Sequence, residues 1–396
     1  MPELFPFFLI LFVALFFSEV FSRVHMPWVV ALIISGMIIG PFGLDIFTPD
    51  ETINLLGEIG IVFLMFMAGL EVRLSSLAKM KKEVARMSLL NGMIPFALGF
   101  GLGMFFGYGL MESLLLGTIF VSSSVAVIIP SLEANKLLDT RLGKTIVSSV
   151  VIQDIVSLLF LSIILQSVKP LTDLPLPVFY ILLFAVLVAL RWLLPKIRLF
   201  FFMLSREKSS LFEWELQAIF VILLGTVVFF QFIGLHAIIA GFFAGLVLAE
   251  SIKSDILMGK IRAISYGFFI PIFFVLVGIN TNLGVFIDTE GTILLLSSII
   301  ISFIAVKFIS GWIGGRINGF NSTESILIGG STIPQLTTTL AVAITASEFN
   351  LFSQELVTVI IVLSIITTLV GPIIMRLTKV KLDANTLGPD VKYEEA

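Results

Sequence analysis

The sequence predicts an all-α polytopic membrane protein with 13 transmembrane helices, two of them discontinuous. Three observations carry that reading. Of 396 residues, 58% are hydrophobic and only 13% charged, with a mean hydropathy of +1.12, whereas soluble domains run at about a quarter charged. Apolar runs of about 17–25 residues, enough to cross a hydrocarbon core as helix, recur along the whole chain. The basic residues between those runs fall almost entirely on one side.

The runs lie at 4–22, 27–43, 54–71, 86–108, 111–131, 143–166, 177–195, 213–233, 235–251, 263–281, 291–315, 323–347 and 353–377. The first follows Glu3 and has neither a basic n-region nor an A-x-A site, so it reads as a retained helix and not a signal peptide. Placing the N-terminus outside puts 22 of the 24 lysines and arginines on the cytoplasmic side, with Lys169 opposite and Lys307 within a run. That split is what the positive-inside rule requires, and one helix more or fewer would scramble it. The N-terminus is therefore expected outside and the C-terminus in the cytoplasm of a bacterial or archaeal cell membrane. The polar tail 379–396 is expected to be disordered.

Two ionisable groups stand deep within runs. Asp154 lies near the middle of SSVVIQDIVSLLFLSIIL, which begins at Ser148. A carboxylate at that depth costs several kcal/mol unless it is protonated, paired or holding a cation, so it points to proton or ion handling, with a packing anchor as the bland alternative. Lys307, some fourteen residues into its run, needs a counter-ion, for which Asp154 is the candidate; otherwise it snorkels to an interface. Beside Asp154 stands Gln153, which cannot titrate but offers an acceptor oxygen and two donors. One carboxylate holds one proton or one monovalent cation, so exchange there would be one for one and electroneutral.

Two runs contain breakers. Ser122, Ser123 and Ser124 precede Pro130 in the fifth; Gly329, Gly330, Ser331 and Thr332 precede Pro334 and Gln335 in the twelfth, with Thr337 to Thr339 beyond. Proline removes a donor and glycine weakens the helix, freeing backbone groups at membrane depth. Such backbone is tolerated where it faces protein or a water-filled cavity. A broken helix in each half is the mark of a transporter built from inverted repeats, although two ordinary proline kinks would give the same letters.

Other chemistries are excluded. The chain has no cysteine for a disulfide or thiolate metal site, and His25 and His236 are too far apart in topology to share a metal. It has no GxxxxGK[ST] phosphate loop and no GxSxG nucleophile. An enzyme is therefore not expected, nor a nucleic-acid partner, nor a cofactor apart from the transported cation and proton. A cation channel or an ion sensor on the same scaffold remains as the rival class.

Three stretches in order resemble the monovalent cation:proton antiporters, in particular their Kef-like branch. They are IGIVFLMFMAGLEVRL from Ile59, the pair Gln153-Asp154, and FFIPIFFVLVGINTNL from Phe268 followed by a helix carrying Lys307. The resemblance covers about residues 4 to 378. It implies two inverted six-helix repeats joined by the seventh helix, with a core moving against a scaffold that forms a homodimer. The implied division is scaffold 1–85, core 86–168, linker helix 169–210, scaffold 211–285 and core 286–378. It also implies Asp154 as the shared carrier of a proton or alkali cation, Lys307 as its partner in the empty site, and Ser123 and Ser124 as oxygen ligands. Ser157, Thr332 and Gln335 are further candidates. The Gln153-Asp154 pair leans to potassium over sodium by resemblance. Two features depart from the branch: many Kef-like proteins continue into a nucleotide-binding domain, and STIPQL replaces a glycine-glutamine-glycine pattern in the second broken helix.

Overall fold

The computed structural model describes residues 4–23, 26–72, 82–168, 211–249, 255–288 and 291–378, with isolated positions between 170 and 196 and at 252. Every regular element among them is helical. Eight helices are long and apolar enough to cross a bilayer alone, and Phe5–Phe21, Trp28–Ile39 and Ala237–Leu248 are shorter apolar ones. The seventh expected crossing, 177–195, is described in part, as helical positions between 177 and 193, while Lys169, His25 and the tail lie outside the described residues, so the count of 13 stays an expectation.

The chain divides into two compact units, one of residues 1–75 with 165–283 and one of 76–164 with 284–396. The first contains α1 (Phe5–Ser22), α2 (Trp28–Ile39), α3 (Glu51–Leu70), α8 (Leu211–Ile233), α9 (Ala237–Leu248), α10 (Asp255–Ile264) and α11 (Ile270–Ile279). Asp50 caps α3 by accepting from the Ile53 amide at 2.8 Å, satisfying a donor that the first turn leaves free. Between α10 and α11 the sequence reading expected plain helix; a π turn, Ser265–Phe269, stands there instead. The Ile270 amide reaches back to Ser265 just before Pro271, which has no amide to donate, so the irregularity sits where the ladder is already interrupted.

Two crossings organise this unit, and glycines set both. A Cβ on Gly36 of α2 would lie 2.0 Å from the Val275 carbonyl oxygen of α11, and one on Gly278 would lie 2.0 Å from that of Ile33. Where α3 meets α9, Gly69 and Gly245 face the Phe242 and Phe66 carbonyls in the same reciprocal way, each at 2.1 Å. Backbones this close exclude any side chain. Gly36 and Gly245 are 209 positions apart (245 minus 36), and the same offset relates Gly69 to Gly278 and Pro27 to His236. Pro27 and His236 in turn cap α2 and α9, both of 12 residues, with similar extended backbone. Exchanging the two halves converts one crossing into the other, which is an internal two-fold.

The second unit repeats a long, broken, long pattern. The first copy is α4 (Lys82–Phe105), α5 (Leu110–Val121), α6 (Val125–Ala134) and α7 (Arg141–Val168). The second is α12 (Thr292–Ile317), α13 (Ser322–Ser331), α14 (Thr337–Glu348) and α15 (Gln354–Leu377). The breaks fall at Ser122–Ser124 and around Thr332–Leu336, and Ser123 and Thr332 again differ by 209 (332 minus 123). Both sequence-expected discontinuities are thus real unwound segments and not kinks. Two glycine pairs let helices pack closely: Gly99 and Gly103 of α4 lie against Phe120 and Ser113 of α5, and Gly311 and Gly315 of α12 against Gly329 and Ser325 of α13.

Candidate functional site

The two broken segments cross. The Ser124 amide donates to the Pro334 carbonyl at 2.7 Å, the Ser123 hydroxyl donates to the Thr332 carbonyl at 2.8 Å, and the hydroxyls of Ser122 and Thr339 lie 2.9 Å apart. All of these residues are buried. Breaking a helix strips its last turn of amide partners, and at this depth each stripped carbonyl must be supplied by protein. At the end of α5 the supply comes from side chains of three other elements. Ser157 donates to the Thr118 carbonyl at 3.0 Å, and Gln335 Nε2 to the carbonyls of Ile119 and Ser122. Lys307 Nζ donates to the Val121 carbonyl at 2.9 Å.

Lys307 is fully buried, and its ammonium is held by neutral oxygens. Besides Val121 it donates to Asn91 Oδ1 at 3.0 Å, to Gln153 Oε1 at 3.1 Å and, more distantly, to the Asn91 carbonyl at 3.3 Å. Gln153 Oε1 also accepts from the Ser123 hydroxyl at 3.2 Å, so one amide oxygen joins α7, α12 and the first break. The carbonyl end of α5 carries the negative pole of its dipole, which suits a cation placed there.

Asp154, 5% exposed, follows Gln153 on α7 and interacts with Lys307 electrostatically. The lysine's hydrogen bonds reach Gln153, the neighbour of Asp154 on α7. Of the other candidates, Ser123, Thr332 and Gln335 all enter the network, and Ser157 serves α5. The Ser124 hydroxyl and Gln335 Oε1 are buried acceptors without a protein partner, which suits oxygens offered to a cation. No group of three His, Cys, Asp or Glu side chains capable of holding a metal occurs among the described residues.

Sequence reasoning missed Asn91. Its Nδ2 donates to the Lys307 carbonyl and to Ser310 Oγ, both at 2.9 Å, and to Thr332 Oγ1 at 3.3 Å. Its only signal was a neutral amide in the middle of the apolar stretch SLLNGMIPF, which lacks the charge that draws the eye to Asp154.

Comparison with known proteins agrees with this geometry. A family model described as "Sodium/hydrogen exchanger, transmembrane" matches residues 8–380. The chain is 35% identical over 386 residues to the "Probable Na(+)/H(+) antiporter 3" of Methanocaldococcus jannaschii, covering 93% of this chain and 95% of that one. It is 29% identical over 376 residues to the "Na(+)/H(+) antiporter" of Enterococcus hirae, covering 93% and 96%. It is 26% identical over 360 residues to the "Na(+)/H(+)-K(+) antiporter GerN" of Bacillus cereus, covering 90% and 91%. The solved structure of the sodium proton antiporter MjNhaP1 from Methanocaldococcus jannaschii shares the fold, with a TM-score of 0.63 at 17% identity over 93% of this chain and 94% of that one. The superfamily read from the sequence holds, while these relatives are named as Na+/H+ antiporters and not as Kef proteins, so the Kef-like branch is corrected. With its stacked apolar helices and two crossed broken segments, this multi-pass membrane transporter belongs to the sodium/hydrogen exchanger family.

Proposed function

We propose that the cation/proton exchange of this family runs in this chain through Asp154, which carries one proton or one alkali cation in turn. The observation that carries the reading is the neutral cradle of Lys307. Its three hydrogens find acceptors in Asn91, Val121 and Gln153, an ammonium has three donors to satisfy, and Gln153 cannot change charge. Asp154 is then the group left to exchange its occupant, with the Ser124 hydroxyl and Gln335 Oε1 as candidate ligands for a dehydrated cation. Exchange is one for one and electroneutral. Sodium is the cation we favour, on the printed names of the relatives, and potassium is a second substrate to test because one relative is named for both.

The unit of residues 76–164 with 284–396 is our candidate for the moving core, because it contains both broken segments and every residue of the cradle. The other unit would serve as the scaffold of a homodimer in the cell membrane. The N-terminus is placed outside by the distribution of lysine and arginine.

The test is proton flux in proteoliposomes preloaded at acid pH and challenged with lithium, sodium or potassium. Asp154→Asn removes the exchangeable charge while keeping shape, and folding is expected to survive because Lys307 keeps its neutral acceptors on Asn91, Val121 and Gln153. Exchange below a tenth of the wild-type rate, with size-exclusion behaviour intact, is the expected result. Exchange at or above that level would remove Asp154 as carrier.

A further inference from the structure

Resting on the reading that Asp154 is the carrier, we infer that Asn91 is a positioning residue that fixes Lys307 in its cradle of neutral oxygens. It thereby sets how strongly the lysine competes with the cation. The Asn91 amide is fixed by its donors. Nδ2 bonds the backbone carbonyl of Lys307 itself and the hydroxyl of Ser310, one turn further along α12. The Ser310 hydroxyl is in turn committed to the Val306 carbonyl at 2.6 Å. With the amide plane fixed in this way, Oδ1 is aimed at Nζ of the same lysine at 3.0 Å. Asn91 therefore grips both the root and the tip of one side chain.

That grip is fitted closely. Gly311 follows Ser310 on α12, and a Cβ there would come 3.2 Å from Asn91 Nδ2 and 2.9 Å from Thr332 Oγ1. The absence of a side chain at Gly311 is what lets the amide of α4 and the first break-residue of α13 reach the same turn of α12. Asn91 is completely buried, and a buried amide with its polar atoms engaged is rigid as well as satisfied.

The consequence follows from counting donors. An ammonium has three hydrogens, and three neutral acceptors within 3.1 Å take them. Removing Oδ1 frees one hydrogen in a site where an unmet donor is costly, and the charged acceptor to which it can turn is Asp154. Competition from the lysine then weakens cation binding, and the same closer ammonium makes the carboxylate release its proton more readily. The groups that bond Nζ are Asn91, Val121 and Gln153, with the Ser123 hydroxyl on the same Gln153 oxygen, and none of them titrates. Among the described residues, Asp154 is the charged group that acts on Lys307 electrostatically.

The experiment measures sodium-driven proton flux against sodium concentration and against pH in Asn91→Ala and Asn91→Asp. For Asn91→Ala we expect the apparent KM for sodium to rise roughly tenfold, the weight of one hydrogen bond to a charged group, while the acid limb of the pH profile moves to lower pH. For Asn91→Asp, which keeps an oxygen in place and adds a charge to hold the lysine, both effects reverse in sign. A structural defect alone would lower the maximal rate without this paired shift. If Asn91→Ala does not assemble, the direction of the Asn91→Asp shift decides alone. Unchanged KM and pH profile in the folded variants would overturn the positioning role. Asp154→Asn, run alongside, separates the failures: if it stays active the carrier reading falls, and if it is dead while the Asn91 variants lose only rate, this inference alone falls.

Discussion

The site's charge count predicts that a membrane potential neither drives nor resists exchange. On the proposed carrier role of Asp154, the cation neutralises it in one loaded state and the proton in the other, with Lys307 keeping its proton in both. The core therefore carries the same charge in both directions, and a cycle moves none. Were Lys307 to lose its proton as the cation enters, one net charge would cross per cycle. A potential of 100 mV is worth about 2.3 kcal/mol per charge, close to a fiftyfold change in the sodium gradient sustained at a fixed pH difference. The two outcomes are far apart. Proteoliposomes clamped with potassium and valinomycin, with sodium as substrate, read the steady-state gradient at 0 and 100 mV, and we expect no change within twofold. A shift of tenfold or more would refute the claim that the cradle retains the lysine's proton. Lys307→Met would then be expected to make the exchanger voltage-insensitive, by removing the second titrating group.

Three structural predictions accompany it. Gly311→Ala places a methyl 2.9 Å from both Gly329 Cα and Thr332 Oγ1, so overpacking is expected to cost about 1–3 kcal/mol and lower the unfolding temperature in detergent. Gly101→Ala on α4, with nothing within 4 Å, should be neutral or gain up to about 1 kcal/mol from helix propensity. Arg141 contacts Glu83 at 3.0 Å, bonds the Asn318 carbonyl and lies 4.7 Å from the Phe320 ring centroid. With the two charged side chains 46% and 28% exposed, the ion pair is screened, and Arg141→Ala is expected to cost no more than about 1 kcal/mol, less at high salt. A loss of several kcal/mol in that variant would show that this group is more than a surface tie.

Much of this was legible in the letters because the bilayer punishes exceptions. Asp154 and Lys307 stand out as charges among aliphatics, and Pro130, Gly329, Gly330 and Pro334 stand out as breakers in otherwise helical runs. Asn91 did not, since a neutral amide is tolerated in many helices and only its contacts reveal its use. The acceptor set of Lys307 was equally hidden, because two of its oxygens are backbone carbonyls of Val121 and Asn91, which any residue would supply. The π turn before Pro271 carried no distinctive pattern. The inverted repeat was expected from the two broken helices, and its register was also there to be read: PWVVALIISG and HAIIAGFFAG start at Pro27 and His236, and Gly36 and Gly245 coincide at the constant offset. The Kef-like branch rested on three short, mostly apolar stretches, and the bilayer demands apolar letters of every branch alike.

The break in α5 explains why a lysine is used here at all. A helix that ends inside a membrane leaves carbonyls facing hydrocarbon or a cavity, and each unmet one costs several kcal/mol. Ser157 and Gln335 close three of them, but a hydroxyl offers one hydrogen and an amide two. At Val121, Asn91 and Gln153 three acceptors converge from different helices, and an ammonium is the side-chain group that can donate to all three at once. Lys307 is thus anchored by a structural task that does not depend on what Asp154 holds. If Asp154 carries the cargo as proposed, the charge of Lys307, which bears on it through space, favours release without having to move or change protonation. A residue fixed in this way contributes a constant field to both halves of the cycle, and a constant field is compatible with an exchanger that moves no net charge.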